Sequence, residues 1–401
     1  MVGRDRRARR CAADGPAVRP YLKAGISGHA LNVILLSRIA HPGEPEDDLQ
    51  HFRLLTTHAF PQVIPPPMKN PSNQISNAVV FTRNSRAAIQ TIPMPPPGPD
   101  EIQIRTELST ISAGTEGWIY RNLFTWSPTP FPCVPGYQRT GFITALGKNV
   151  RRFRIGERVM AIAGDWKGKV SSFWGSHLSL ANSPAACVFR IPRGVDPMDA
   201  SSAVVAQVGY NAAHRATFRP KSWVLVYGDG LIGQSAAQAA RARGFRVIVV
   251  GHRPERLRIA AKYSADAVIN SHTHHVEKTA RRFTGGKPVS AVLDSIQGES
   301  VQEQYVPLLE PGRGEIVYCG FSQAKTWANM AVLQQKELAT LFVAGWTRPR
   351  MEATLALMAK KKMRVRPMVT HVVPWQRAPE MYEMIRLKTE RFLGITLDWT
   401  R

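Results

Sequence analysis

The sequence predicts an α/β protein of two domains, in which a β-rich domain is combined with a doubly wound parallel sheet. Three observations lead to this prediction. The chain has 401 residues, too many for one ordinary hydrophobic core. Residues 77–206 contain short strand-like runs separated by turns rich in Pro and Gly. Between residues 207 and 343, apolar strand-like runs alternate with helical patterns, as in parallel sheets with helical crossovers.

The β-rich segment at 77–206 carries five runs that we expect to be strands. They are Ala78–Thr82, Glu101–Leu108, Gly141–Leu146, Arg158–Ala163 and Cys187–Ile191. After residue 343 the pattern continues with one helix and two further strand-like runs. These are Met351–Lys361, Met368–Val373 and Gly394–Leu397. We expect residues 344–401 to return to the β-rich domain and complete it.

Residues 1–76 differ from the rest of the chain. They contain an Arg-rich start at Arg4–Arg10, an acidic patch at Glu44–Asp48 and three prolines at Pro65–Pro67. No sustained strand or helix period runs through them. The segment is therefore predicted to be a disordered N-terminal extension.

The strongest local signal is a glycine-rich turn between a strand and a helix. The apolar run Trp223–Tyr227 leads into Gly228, Gly230 and Gly233, and a helical pattern follows. In a dinucleotide-binding turn, the first glycine permits the tight turn and the second lets the backbone approach a pyrophosphate. The third lets the helix pack closely on the strand. We therefore predict a Rossmann-type domain at 207–343. The predicted cofactor contacts in this turn are Gly228, Gly230, Leu231, Ile232 and Gly233.

The end of the next strand indicates which dinucleotide is preferred. Enzymes that prefer NAD usually place Asp or Glu at this position, where it binds the ribose 2′-hydroxyl. Here the position holds Gly251, and His252, Arg253 and Arg256 follow it. Since cations can pair with a 2′-phosphate, we predict that NADP(H) is preferred and that NAD(H) is possible. The alternative is that these arginines only form the solvated start of a helix.

A later strand end predicts further ligand contacts. Gly320 and Phe321 follow a strand-like run at Glu315–Cys319. Ligands of open parallel sheets bind at the carboxyl ends of the strands, so we expect both residues near the cofactor. Gln207 and Val208, which we place at the start of the linking helix, are expected to flank the nicotinamide.

Composition and charge exclude several classes of protein. The net charge of +24 is spread along the chain rather than gathered in a basic stripe with interleaved aromatics, so a nucleic-acid partner is not expected. No apolar stretch is long enough to span a bilayer, so a membrane partner is not expected. Four scattered cysteines indicate neither a disulfide framework nor a cysteine-based zinc lobe, and a reducing cytoplasm is the simplest location. The expected partner is a small-molecule substrate.

One segment makes a family resemblance specific. Residues 136–150 keep the glycine and valine spacing of the GHExxGxxxxxGxxV signature of the medium-chain dehydrogenase/reductase superfamily, which contains the zinc-type alcohol dehydrogenases. Residues 153–159 resemble the family's F-x-x-G-D-R-V turn. The resemblance covers about residues 77–401. It implies a GroES-like catalytic domain joined to the Rossmann domain, an oxidoreductase activity, and a homo-oligomer, either a dimer or a tetramer.

The chain departs from the family pattern at the metal. Zinc-dependent members use a Cys, and then the His and Glu of the GHE sequence. The resemblance places Ala113, Tyr137 and Gln138 at these positions. Zinc needs about three N, S or carboxylate ligands. We therefore expect neither a catalytic nor a structural zinc.

Hydroxyl groups must then stabilise and protonate the oxygen that zinc usually polarises. The predicted catalytic residues are Thr115, Tyr137 and Glu116. Tyr137 is either an acid or an aromatic packing residue beside the nicotinamide, and Thr115 is either a relay hydroxyl or a turn hydroxyl. Glu116 either orients one of these hydroxyls or forms an ion pair with Arg139. Three aromatics, Trp126, Phe131 and Trp174, are candidates for an apolar substrate face.

Residues 112–116, together with the chain ending at 392–399, most resemble the branch that contains bacteriochlorophyllide hydroxyethyl dehydrogenase. The predicted function is hydride transfer between NADP(H) and an alcohol/ketone pair without catalytic zinc. Two alternatives stay open, a zinc-independent quinone or enone reductase and a non-catalytic nucleotide-binding protein.

Overall fold

The computed structural model describes residues 74–125, 127–217, 219, 221–322 and 328–401. The predicted extension at 1–76 therefore lies outside the described residues, except for its last three, which belong to the first strand. Trp126, one of the candidate pocket aromatics, also lies outside them. Within the described residues, each helix is too short or too polar to cross a membrane.

The N-terminal part is rich in strands, as predicted. Its elements in chain order are β1 (Gln74–Arg83), β2 (Arg86–Met94), β3 (Glu101–Ile111), α1 (Ala113–Tyr120), β4 (Cys133–Val134), β5 (Arg139–Leu146), β6 (Arg158–Ala161), β7 (Ser171–Ser172), β8 (Leu180–Pro184), β9 (Val188–Arg190), α2 (Pro197–Ala200) and α3 (Ala203–Arg215). Helix α3 begins before Gln207, so this residue lies inside the helix and not at its start.

The second part alternates strands and helices. Its elements are β10 (Trp223–Tyr227), α4 (Leu231–Arg243), β11 (Arg246–Gly251), α5 (Pro254–Tyr263), β12 (Ala267–Asn270), α6 (Val276–Thr284), β13 (Ala291–Asp294), α7 (Glu299–Tyr305), β14 (Glu315–Tyr318), α8 (Met330–Gln335) and β15 (Ala339–Phe342). Helix α4 ends as its sequence predicts, because Gly244 adopts a left-handed conformation with φ of 96° and caps the last turn. The chain closes with α9 (Arg348–Ala359), β16 (Val369–Pro374), α10 (Ala378–Leu387) and β17 (Gly394–Asp398).

Strands β10 to β15 form one parallel sheet in the order β12-β11-β10-β13-β14-β15. The strand order reverses between β10 and β13, which are neighbours in the sheet. The loops after these two strands therefore diverge to opposite faces and leave a crevice at their carboxyl ends. The α/β fold class and the doubly wound parallel sheet are confirmed.

The last strands of the chain belong to the sheet of the β-rich part. Strand β17 pairs antiparallel with β3, and β16 pairs parallel with β17. This return brings residues 385–393, between α10 and β17, against the nucleotide-binding part of the chain. The segment thereby becomes a wall of the site described below.

The prediction missed β2, α1, β8 and α10. Helix α1 carries glycines at 114 and 117, which lower the intrinsic preference for helix. It is nevertheless helical because it packs on α10, where an added Cβ at Gly117 would lie 3.4 Å from the side chain of Ile385. Tertiary packing, which a local pattern does not contain, decides the conformation here.

Candidate active site

A cleft of about 750 Å³ lies between the β-rich part and the parallel sheet. Three segments line it: the N-terminal half of α1, the glycine turn with the ends of β13 and β14, and the chain between α10 and β17. The lining residues include Ser112, Thr115, Gly230, Arg256, Phe321 and Phe392. The cleft opens at the point where the strand order of the parallel sheet reverses, which is where such sheets bind ligands.

The glycine turn has the geometry that its sequence predicts. Gly228 has φ of +114°, which favours glycine, and a Cβ there would lie 2.1 Å from Ser295 Oγ. A Cβ on Gly233 would lie 2.0 Å from the carbonyl oxygen of Gly228, so only glycine lets α4 pack this closely on β10. An added Cβ on Gly230, in contrast, meets no atom within 4 Å. The open space at Gly230 is where a ligand's phosphate can approach the backbone.

Helix α4 provides the binding groups at this turn. Gly230 is its N-cap residue, and no side chain caps the helix. The N–H groups of the first turn, which include those of Leu231 and Ile232, are therefore available to an external acceptor. Leu231, Ile232 and Gly233 all line the cleft. The arrangement favours an anion, because the positive end of the helix dipole points into the cleft.

The residues after β11 do not all lie where the sequence indicates. His252 and Arg253 line a recess of about 280 Å³, in which the imidazole of His252 stacks on that of His272, and Arg253 also lines the main cleft. Burial, followed by the charge of Arg253, lowers the pKa of His252. Arg256 lines the main cleft, but its side chain is only 14% exposed and donates to the carbonyl oxygen of Phe392.

The sequence has no carboxylate at the end of β11, and we therefore expected none there. This expectation is wrong, because the fold brings a carboxylate to this strand end. Asp229, the second residue of the glycine turn, reaches across to the end of β11. Its Oδ2 accepts hydrogen bonds from the backbone N–H groups of His252 (3.1 Å) and Arg253 (3.0 Å). Nothing in the local pattern predicts this contact, because it depends on the alignment of two parallel strands.

Gly320 and Phe321 lie in the cleft, as predicted from the strand end. The N–H of Gly320 donates to Asp294 O at 3.2 Å, and a Cβ at this position would lie 2.8 Å from Ser295 O. The ring of Phe321 is 44% exposed and meets the ring of Phe124 edge to face, at 6.1 Å between centroids. Phe124 belongs to the β-rich part and Phe321 follows β14 of the parallel sheet. Their contact therefore forms an apolar wall of the cleft that joins the two parts of the chain.

Two of the three predicted catalytic residues, Thr115 and Tyr137, lie close together. Thr115 is in the first turn of α1, and Tyr137 lies just before β5. Thr115 and Ser112 line the cleft, whereas Tyr137 does not line it and lies behind these two hydroxyls, close enough for both to influence its phenol. Burial, followed by the charge of Glu116, raises the pKa of Tyr137 above its usual value, and the two hydroxyls lower it by less. The ring of Tyr137 packs edge to face on Trp174, with 5.2 Å between centroids. Sequence reasoning gave Ser112 no role, although this residue opens the Ser112–Glu116 string on which the branch resemblance rests.

Glu116 is placed differently from either expectation. Its side chain is fully buried behind α1, and it does not line the cleft. The predicted ion pair with Arg139 is wrong, because the Arg139 guanidinium donates to Gly175 O, Ser176 Oγ and Ser183 Oγ instead. Burial in these neutral surroundings lowers the pKa of Arg139 to about 9.

The partners of Glu116 are groups that lie far away in the sequence. Its Oε2 accepts the Tyr382 hydroxyl at 2.5 Å and lies 2.9 Å from Nε2 of His177, while Oε1 accepts the Ser112 N–H at 2.9 Å. Nδ1 of His177 lies 2.8 Å from Ser109 Oγ. This network ties the start of α1, and with it Ser112 and Thr115, to α10 and to the loop before β8. Glu116 thus acts on the cleft by positioning α1.

Replacing Glu116 with glutamine should lower the stability of the protein by about 3 kcal/mol. An amide offers one acceptor oxygen where the carboxylate serves Tyr382, His177 and a backbone N–H, so a buried donor is left unpaired. The shift in the denaturation midpoint measures the loss. The matched control is Glu390→Gln, since Glu390 pairs with His371 at 3.1 Å but is 64% exposed. Equal midpoints for the two variants would contradict this role for Glu116.

Comparisons with known proteins find matches to both parts of the chain. The model of the alcohol dehydrogenase GroES-like domain matches residues 98–193, and the model of the zinc-binding dehydrogenase family matches residues 232–360. The sorbitol dehydrogenase of Halalkalibacterium halodurans is 24% identical over 316 residues, which cover 73% of this chain and 91% of that protein. The alcohol dehydrogenase of Rhizobium meliloti is 26% identical over 265 residues, covering 60% of this chain and 76% of that protein.

Solved structures show the same fold. A structure from Sinorhizobium meliloti 1021, described as a zinc-binding dehydrogenase bound to NADP, has a TM-score of 0.71 at 18% identity and covers 81% of this chain and 99% of that chain. The alcohol dehydrogenase TADH from Thermus sp. ATN1 has a TM-score of 0.67 at 22% identity, covering 80% of this chain and 99% of that chain. At these identities the likeness concerns the fold alone.

Proposed function

The chain belongs to the medium-chain dehydrogenase/reductase superfamily, and from this premise we propose that it is a dehydrogenase/reductase that prefers NADP(H) and acts on an alcohol/ketone pair without catalytic zinc. One observation carries the proposal. The hydroxyls of Ser112 and Thr115, backed by Tyr137, line the same cleft as the glycine turn. The proposal therefore puts the hydroxyls that would deliver the proton and the turn that would hold the dinucleotide in one cavity, as carbonyl reduction requires.

The residues of the cleft fit a dinucleotide. The free N–H groups at the start of α4 would hold the pyrophosphate above Gly230, where an added Cβ meets only open space. Phe321 would pack on an apolar part of the ligand. When bound, the nicotinamide gives or takes the hydride. The chain's own residues bind this group, exclude water and supply the proton.

The preference for NADP(H) is supported by the cations beside β11. Arg253 is 42% exposed and borders the recess that also holds His252, so both face the region where a 2′-phosphate would lie. Gly251, the last residue of β11, has no carboxylate of its own to bind a ribose hydroxyl. Arg256 contributes less than its sequence position indicates, because it is bonded to Asp229 and Phe392.

The residues at the family's metal positions do not fit zinc. Ala113 offers only a methyl group, and Tyr137 offers a protonated phenol, since burial raises its pKa. The buried amide of Gln138 is engaged by backbone groups: Nε2 donates to Thr110 O at 3.2 Å, and Oε1 accepts the N–H groups of Val204 and Val205. Among the described residues, no three His, Cys, Asp or Glu side chains form a group that could hold a metal. We therefore derive no catalytic step through a metal.

Treatment with 1,10-phenanthroline followed by dialysis should leave kcat within about twofold of the untreated enzyme. Zinc catalysis needs about three good ligands, and the residues at the family's metal positions do not supply them. The metal content of the purified protein is measured alongside, with a zinc-containing alcohol dehydrogenase as the control that loses activity. One zinc per chain, together with loss of activity on chelation, would contradict the zinc-free proposal.

In the reductive direction the chain's residues act on the oxygen of the substrate carbonyl. The Thr115 hydroxyl, which lines the cleft, would donate its proton to this oxygen as negative charge develops there, and Tyr137, which lies behind it, would replace that proton on Thr115. The phenol is protonated at neutral pH even at the ordinary pKa of tyrosine, and burial raises the pKa of Tyr137 further, so the donating form is present. Reduction therefore needs no prior ionisation, whereas oxidation requires the phenolate and should speed up as the pH rises.

Turnover measurements test the proposal. Oxidation of NADPH and of NADH is followed with panels of ketones, enones and quinones, and binding of both nucleotides is measured separately. Turnover of ketones with a higher kcat/KM for NADPH is the expected result. Turnover confined to enones or quinones would favour a zinc-independent enone or quinone reductase. Tight nucleotide binding without turnover of any compound would favour a non-catalytic nucleotide-binding protein.

A further inference from the structure

The carboxylate of Asp229 occupies the place where a side chain of the strand-end residue would lie. A Cβ built on Gly251 would be 2.5 Å from both Cβ and Oδ2 of Asp229. The glycine at 251 therefore makes room for an acid that comes from the glycine turn. The chain has a carboxylate at this strand end after all, although it is contributed by a residue 22 positions earlier in the sequence.

Both oxygens of this carboxylate are directed at protein groups and not at a ribose. Its Oδ2 accepts the two N–H groups of His252 and Arg253, while Oδ1 lies 3.4 Å from the Arg256 guanidinium and 3.7 Å from that of Arg253. The Asp229 side chain is only 4% exposed and lines neither the cleft nor the recess. Asp229 thus acts through its neighbours and not by direct contact with a nucleotide.

The charge of Asp229 has a defined effect on those neighbours. It offsets about one of the two positive charges on Arg253 and Arg256. It also holds Arg256 against the carbonyl oxygen of Phe392, on the wall that the β-rich part contributes to the cleft. The neighbouring Arg391 is 3.7 Å from Glu255 on α5, which adds a second contact across the cleft.

We propose that Asp229 is a positioning residue that limits the preference for NADP(H). By neutralising and restraining Arg253 and Arg256, it weakens the attraction for a 2′-phosphate and leaves the binding of NAD(H) nearly unchanged. This inference rests on the proposed nucleotide site. A chain with free arginines at these positions would discriminate more strongly, because a dianionic phosphate would meet two unpaired cations.

The test is the substitution Asp229→Asn, which keeps an acceptor for the backbone N–H groups and removes the charge. The dissociation constants for NADPH and NADH are measured by fluorescence titration. We expect NADPH to bind about fivefold more tightly than to the wild type, in line with the modest strength of partly exposed charge pairs, and NADH to change by less than about twofold.

The matched control is Asp266→Asn. Asp266 also accepts a backbone N–H, that of Val247 at 2.8 Å, and it also pairs with an arginine, Arg241 at 3.3 Å. It lies at the opposite end of β11, away from the cleft, and its substitution should change neither constant. Equal weakening of both nucleotides in Asp229→Asn would show a purely structural role and overturn the inference. Failure of the wild type to bind either nucleotide would instead refute the proposed function, and the inference with it.

Discussion

Replacing Tyr137 with phenylalanine should lower kcat for ketone reduction by about 10²- to 10³-fold, which is the usual contribution of a positioned general acid. The ring and its packing on Trp174 are kept, while the phenolic proton is removed. The Thr115 hydroxyl remains in the cleft and can still polarise the carbonyl, so some activity should persist. Steady-state kinetics with saturating NADPH measure the effect.

Two further measurements distinguish an acid from a packing residue. The dissociation constant for NADPH should stay within about twofold, since the lost hydroxyl acts through Thr115 on the carbonyl in the transition state. The control Tyr263→Phe removes a hydroxyl at the end of α5, where the ring contacts Lys262 and Arg364, and should leave kcat unchanged. An unchanged kcat in Tyr137→Phe would assign Tyr137 to aromatic packing beside the nicotinamide and leave Thr115 as the donor.

Replacing Gly230 with alanine should weaken nucleotide binding by about tenfold to a hundredfold without destabilising the fold. The backbone at Gly230 has φ of −79°, which alanine adopts readily, and the added Cβ would meet no protein atom within 4 Å. The methyl group would instead fill the space through which a pyrophosphate reaches the N–H groups of α4. Nucleotide titration and the thermal unfolding midpoint are measured on the same preparation.

The contrasting variant is Gly233→Ala. Its Cβ would lie 2.0 Å from the carbonyl oxygen of Gly228, so α4 would have to move away from β10. We expect this variant to lose about 3 kcal/mol of stability or to fail to fold. A remote control, Gly168→Ala, would place its Cβ at an ordinary 3.8 Å from Trp166 and should change neither property. Normal nucleotide binding in Gly230→Ala would mean that the ligand does not use this turn.

Local patterns predicted much of the framework. The apolar residues of β10 and β11, the glycines between them and the glycine cap at residue 244 each follow from neighbours within a few positions. The same holds for the strand ends that place Gly320 and Phe321 in the cleft. Local patterns failed for α1, whose glycines weaken its helical signal and which is helical because it packs on α10.

The residues of the candidate site divide in the same way, into those that the sequence indicates and those that only the fold brings together. Thr115 and Tyr137 were singled out because the family resemblance places functional groups at these positions, and the fold brings the two residues together. The role of Glu116 was not found. Its partners His177 and Tyr382 lie 61 and 266 residues further along the chain, and no periodicity connects them. A buried carboxylate takes whichever donors the fold brings to it.

The sequence by itself determined that this chain carries a β-rich domain and a parallel sheet with a glycine turn for a dinucleotide, because backbone periodicity and glycine conformations are properties of neighbouring residues. Only the tertiary structure decided how the charges at that turn are balanced. The sequence shows a strand end without an acid, yet Asp229 supplies one from the turn that follows the adjacent parallel strand. The physical reason is that the direction of a side chain and the identity of its partner depend on the register between strands, which no stretch of sequence records.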